Sequence, residues 1–516
     1  MGLAATARRP IESMRGPGGA GPTRRRLRNA LIVVAALFAV GIVLLFAWWP
    51  FSRNAVLKQV AESAGATVDV RKFRATYFPP GCVLEDVALR RQAGAGLPTL
   101  ITATRLTIQT TVGALLHGDG TDARAAGLHV VVPPGSHLLS STGSRQGTLK
   151  SRVRRFVADD AEVDFTSAKP GAEPLRFMIH HLSVTTSNPN APLSFQVSLT
   201  NPEPPGEITS SGRIGPWNQA DPKKTPVEGS YRFDHAQLGA FSGVSGTLSS
   251  QGTYRGELDR ISVDDAADVP DFVAADSGHR IHLRTTFHAV VDGTNGNTLL
   301  EPVTGRFERS ALVFRGGVRG SHGKTAALGV DGEGRIQDML LMLTSGTPAA
   351  MTGAIRLNGR ATLPPGKGDF YSRFGFQGDF EIRDVRLTNP GTQSKIDQLS
   401  ARAQGKKNPK DVEDVSGDLT GHLELRRGIV TFSKTSLQVP GARAKVAGTY
   451  SLLNYRIDLH GTLATEATLS QSNSGLKSAL LKPLNPLFKR KRAGAVVGIS
   501  IQGTYDQPTF GIDLAH

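Results

Sequence analysis

The sequence predicts a mainly β protein: an elongated, antiparallel-rich sheet with a few short helices, preceded by one N-terminal transmembrane helix. Three observations predict it. Apolar and polar residues alternate over many short runs. Gly and Pro, 58 and 30 of 516 residues, punctuate those runs at about one position in six, well above ordinary usage. One long uncharged apolar stretch stands near the start of the chain.

Residues 1–29 carry seven Arg and one acid, are rich in Gly and Pro, and read as a disordered basic tail. Ala30 to Trp49 holds no charge. A helix rising about 1.5 Å per residue over that stretch matches the roughly 30 Å core of a bilayer. Arg24, Arg25, Arg26 and Arg28 flank its start, Trp48 and Trp49 close it where interfacial aromatics belong, and Pro50 ends it. The positive-inside rule puts the tail in the cytoplasm and residues 51–516 across the membrane. A cleaved signal peptide is the alternative, but the apolar run is long for one and ends in Trp-Trp-Pro without an A-x-A-like site.

Residues 53–64 predict a short helix, with Val56, Val60 and Ala64 on one stripe and Gly65 as a stop. Strands follow. In RIHLRTTFHAVV, Ile281, Leu283, Phe287, Ala289 and Val291 share one parity, and His282, Arg284, Thr286 and His288 the other. Side chains alternate across a strand, so one face is apolar and one polar. The same alternation marks Leu106/Ile108, Phe195/Val197/Leu199, Leu312/Phe314, Leu423/Leu425, Ile457/Leu459, Val497/Ile499/Ile501 and Phe510/Ile512/Leu514. Turns are expected at Asp292-Gly293, Asn295-Gly296, Asp331-Gly332, Asn389-Pro390-Gly391 and Arg427-Gly428. Loops are expected at about 133–150, 201–228 and 401–416. A loose repeat, Gly, one residue, then an aromatic, recurs at Gly229/Tyr231, Gly252/Tyr254, Gly305/Phe307, Gly378/Phe380, Gly448/Tyr450 and Gly503/Tyr505. Its irregular spacing is not that of a strict solenoid.

The net charge of +16 is concentrated in the tail and in residues 475–495, which hold six basic residues and no acid. Two basic clusters beside apolar sequence point to membrane surfaces rather than nucleic acid. Around 475–492 a short helix to about Lys482, a kink at Pro483 and Pro486, and a basic tail Lys489, Arg490, Lys491 and Arg492 are expected. That tail is either a membrane-surface contact or a solvated end of the sheet.

Signals for chemistry are weak. A nucleophile elbow, an H-E-x-x-H pair, a Walker A loop and a dinucleotide fingerprint are all absent. Cys82 is the sole cysteine, which excludes an internal disulfide framework and Cys-rich metal sites. It follows Pro79-Pro80-Gly81 and reads as a half-buried thiol in a turn. His180-His181 and His279, His282 and His288 read as solvent-face residues rather than ligands, and Asp264, Asp265 and Asp268 as a solvated loop without EF-hand spacing. No catalytic residue, metal or cofactor is expected, and the chain is not expected to be an enzyme.

The order of segments carries a resemblance. After the anchor and short helix comes TYFPPGCVLEDVALRR. Then come ISVDDAADVPDF and FHAVVDGTNGNTLLEPVTGRFERS, and finally VPGARAKVAGTYSLLNYRIDLHGTLATEATLS and VVGISIQGTYDQPTFGIDL. So ordered, residues 27–516, and most specifically 260–516, resemble the AsmA family of diderm bacteria, whose relatives include TamB-type and bridge-like lipid transfer proteins. The resemblance divides residues 51–516 into an N-terminal β-rich part, 51–260, and an AsmA-like C-terminal region, 261–516. It implies an inner-membrane anchor with the bulk in the periplasm. It also implies a sheet curled into an open trough or taco-like groove with an apolar inner face, lined by Ile281, Leu283, Phe287, Val291, Leu423, Leu425, Ile457, Leu459, Ile499 and Ile501. The implied function is binding or conduction of phospholipid in outer-membrane lipid homeostasis; the alternative is a non-enzymatic scaffold or assembly factor for outer-membrane proteins. Partners so implied are phospholipid, the inner membrane, and outer-membrane or periplasmic proteins. Alternation alone leaves a closed β-sandwich open as well.

Overall fold

The computed structural model describes residues 49–513 apart from gaps, the longest being 92–99, 133–152, 405–413 and 466–495. The basic tail, residues 30–48 of the expected span, Trp48, and the cluster Lys489–Arg492 lie outside the described residues. Among the described residues, no helix is long and apolar enough to cross a membrane.

Helix α1, Arg53–Ala64, forms where the apolar stripe placed it and leads into the first strands, β1 (Ala66–Tyr77), β2 (Pro80–Arg91) and β3 (Leu100–Gln109). A six-residue helix α2, Val112–His117, precedes β4 (Thr121–Val132), β5 (Val153–Phe165), β6 (Leu175–Thr185), β7 (Leu193–Pro202), β8 (Pro205–Ile214) and β9 (Pro226–Gln237). Next come β10 (Val244–Ser245), β11 (Thr247–Glu257), β12 (Arg260–Ala274), β13 (Ile281–Val291), β14 (Thr298–Phe307), β15 (Ser310–Arg319) and β16 (Thr325–Arg335). Helix α3 (Ile336–Leu343), β17 (Met351–Leu363), helix α4 (Phe370–Arg373), β18 (Gly375–Leu387) and helix α5 (Pro390–Ala403) follow. The chain then runs through β19 (Gly417–Arg426), β20 (Ile429–Val439), β21 (Ala442–Ser451), β22 (Arg456–Thr465), β23 (Val496–Thr504) and β24 (Gln507–Asp513).

The 24 strands form one long open sheet in chain order. Two-residue β10 stands aside against the far end of β12, so β9 pairs directly with β11. Every pairing is antiparallel except β4 with β5, which is parallel. A parallel pair needs a crossover rather than a hairpin, and here the connection falls in 133–152, outside the described residues. The sheet passes without a break through residue 260, where β11 pairs with β12.

The sheet is uncurled, so the expected curl into a trough is corrected. The apolar face is covered in patches by helices, which do locally what a curl of the rims would do. Trp49, Leu57 and Val60 pack over β1–β3 around Cys82, Leu84 and Val87. Ile336 and Met339 of α3 pack on Phe307, Ile355, Phe380 and Ile382. Ile396, Leu399 and Ala403 of α5 pack near Val439, Ala442 and Leu463.

Several local expectations are corrected. Residues 201–228 are mostly strand, not loop. Asp331-Gly332 lies inside β16, where Gly332 pairs with Leu312 and Leu357 on the neighbouring strands. Asn389-Pro390 starts α5 rather than making a simple turn: the Asn389 carboxamide oxygen accepts the Thr392 backbone N–H at 3.1 Å, an N-cap followed by proline in the first turn. Asp264, Asp265 and Asp268 lie on β12, not in a loop. Cys82 lies on β2, fully buried.

Candidate functional site

Strand register carries a single row of facing residues across the sheet. It starts at Phe73, Leu84 and Leu106, passes Ala125, Ala158, Leu182 and Val197, and reaches Ser210, Tyr231, Gly252 and Asp265. From Phe287 it continues through Val303, Phe314, Val330, Gly359 and Gly378. It ends through Leu423, Phe432, Gly448, Leu459, Ile501 and Phe510. From Phe287 to Phe510 every member is apolar or glycine.

The glycines are part of this surface. A Cβ at Gly359 would lie 2.6 Å from Cζ of Phe376, and one at Gly421 would lie 2.9 Å from Cζ of Phe380. Large rings therefore lie over neighbouring glycines and level the face. Both residues of the Gly-x-aromatic repeat share a face, and at Gly229 the glycine leaves room for a ring from the next strand, since a Cβ there would lie 2.5 Å from the Tyr254 hydroxyl oxygen.

The ten sequence-selected groove residues fall on this face in several rows. Phe287, Leu423, Leu459 and Ile501 belong to the long row. Leu425 and Ile457 share a parallel one through Val430 and Tyr450. Ile499 faces Gly461, and Val291 faces Ile261 and Thr298. Leu283 faces Val269, and Ile281 faces Phe272. Ile281, Leu283 and Leu423 pack in the cluster that includes α3, so they are partly core. Among the described residues, the apolar clusters that include helix side chains do not extend over β5–β9, where Phe177, Leu182, Phe195 and Val197 are half-buried.

Sequence reasoning missed a polar interruption midway along the row. Asp265 is 8% exposed. Its Oδ2 accepts hydrogen bonds from the hydroxyls of Tyr231 and Ser250, and its Oδ1 has no partner. Burial pushes its carboxyl up to about 6. Beside it, the Tyr254 hydroxyl is 2.9 Å from that of Ser210. The signal was present in the parity of β12: Asp264 and Asp265 are adjacent, so one of them has to face inward.

The opposite face is polar and internally paired. His282 meets Asp268 at 2.6 Å and His288 meets Asp264 at 2.8 Å. His180 meets Thr200, whereas His181 meets Asp159, so this adjacent pair serves two partners. His129, Glu162 and Asp164 offer ligand atoms within 4.8 Å of one another. The Arg176 guanidinium pairs with both carboxylates, so a cation already occupies that place. Its hydrogen bonds hold the Asp164 carboxyl below the ordinary range. Burial pushes the Cys82 thiol up to about 12, which leaves it protonated and a poor nucleophile.

Neither a protein-family model nor a curated protein matches this chain.

Proposed function

We propose that this protein holds phospholipid acyl chains along the apolar face of its sheet, anchored to the inner membrane by residues 30–49 with the bulk of the chain in the periplasm, in support of outer-membrane lipid homeostasis. The observation that carries this reading is the continuous apolar row from Phe287 to Phe510, crossing twelve strands. A β-sandwich would bury such a face under a second sheet, whereas here strands β1–β24 form a single sheet. Each methylene laid on the face gains roughly 0.8 kcal/mol. A row without deep pockets lets a chain slide instead of fixing it.

The test is phospholipid content by native mass spectrometry of purified residues 51–516. Bound phospholipid is expected, reduced severalfold in Phe287→Arg with the sheet intact by circular dichroism. A folded protein free of lipid in both forms would sink the reading and favour a scaffold for outer-membrane proteins.

A further inference from the structure

We propose that the turn joining β1 to β2, with Phe78 at its tip, inserts into the bilayer interface, so that the first end of the sheet rests on the membrane. This rests on the reading of residues 30–49 as a membrane span.

Phe78 is 89% exposed, the most exposed large apolar side chain among the described residues. Turn tips ordinarily take Gly, Asn, Asp or Ser, but this one reads Tyr77-Phe78-Pro79-Pro80. Its neighbours extend the apolar surface. Tyr77 is 37% exposed, and Val112 at the start of α2 is 50% exposed. The Thr110 backbone N–H donates to the Pro80 carbonyl at 2.9 Å, which holds the start of α2 beside the turn.

The occupant follows from Trp49. Its ring centroid lies 5.1 Å from that of Tyr77, so the turn sits against the residue that ends the uncharged apolar run. Trp49 itself is turned onto the core of β1–β3 with its indole nitrogen buried, so it ties the turn to the end of the span rather than reaching the headgroups. Tyr77 is thereby held beside the end of the span, with Phe78 one residue further along an exposed tip. Exposed Arg53, four residues after Trp49, suits lipid phosphate at the same level. An aromatic tip with a nearby cation is the composition of an interfacial anchor.

The experiment uses the full chain in vesicles of phosphatidylethanolamine and phosphatidylglycerol. A nitroxide is attached through Phe78→Cys and, as an aqueous control, through Glu203→Cys in the β7–β8 turn. Cys82 is fully buried and stays unlabelled. Because Phe78 packs on so little, its replacement leaves the fold intact. The expected result is a collision rate with oxygen exceeding that with a water-soluble nickel chelate at position 78, and the reverse at 203. If both positions prefer nickel while the chain resists carbonate extraction, the inference fails and the span reading stands. If carbonate strips the chain from the vesicles, both fail. If the label at 78 is shielded from both reagents and shows spin–spin broadening, a second copy covers the tip and the inference is overturned.

Discussion

Asp265→Asn removes the single carboxylate from the long apolar row while keeping its shape. Asp265 lies almost wholly out of solvent, and burial raises its folded-state value from 3.8 to about 6. The folded state therefore binds the proton more tightly than the unfolded chain does. Stability from this group is greatest below the unfolded value and is lost as pH rises through about 6. With about 1.4 kcal/mol for each unit, ionised Asp265 costs the native state on the order of 3 kcal/mol at pH 8 and about 0.5 kcal/mol at pH 4. The remaining carboxylates titrate equally in both proteins and cancel. The difference between Asp265→Asn and the unaltered chain should thus grow in favour of the variant by roughly 2 kcal/mol between pH 4 and pH 8. A long sheet of neighbour-to-neighbour contacts need not unfold in one step, so the assay is local: amide hydrogen exchange in β11 and β12, with β20 and β21 as the internal reference. Protection that changes with pH in parallel in the two proteins would refute the argument, because the carboxyl would then be as well solvated folded as unfolded.

Other outcomes follow from the same geometry. Gly359→Val should destabilise β17 and β18 by about 1–3 kcal/mol, read as lost exchange protection there, because its Cβ would fall 2.4 Å from the Gln377 carbonyl oxygen. Arg176→Met should leave the buried Asp164 carboxylate without its main partner. Asp164 lies below its ordinary value in the folded state, so its stabilisation is present at neutral pH and lost as pH falls through that folded value. The variant should accordingly lose stability at pH 7 and approach the unaltered chain in acid, as followed by melting temperature. Cys82 should resist thiol reagents at pH 8 in the folded protein and react at once in guanidinium; fast native labelling would show that β2 opens locally.

Much of this architecture is legible in the sequence. Strand periodicity placed Ile281, Leu283, Phe287 and Val291 on one face of β13 because parity is a local property of an extended chain. The start and stop of α1 were readable for a similar reason: the Val56 and Val60 stripe and Gly65 are local signals. Asn389-Pro390 was ambiguous because an N-cap and a turn use the same residues. Helix α3 escaped the reading because eight mostly apolar residues fit a buried strand as well as a helix. Tertiary contacts decided it: Ser310 donates to Asp338 at 2.9 Å, fastening its first turn to the β14–β15 turn, and Met339 packs beside Gly332.

The sequence by itself determined which residues share a face over unbroken runs such as Ile281–Val291, where many turns fall, and that the chain is built from hairpin-scale units. Only the tertiary structure decided how those faces line up. Register sets Phe287 opposite Asp265 on one side and Val303 on the other, makes β4 and β5 parallel, and brings Trp49 against Tyr77. Pairing depends on the partner strand and on bulges that shift the count by a residue, and no single strand contains that information.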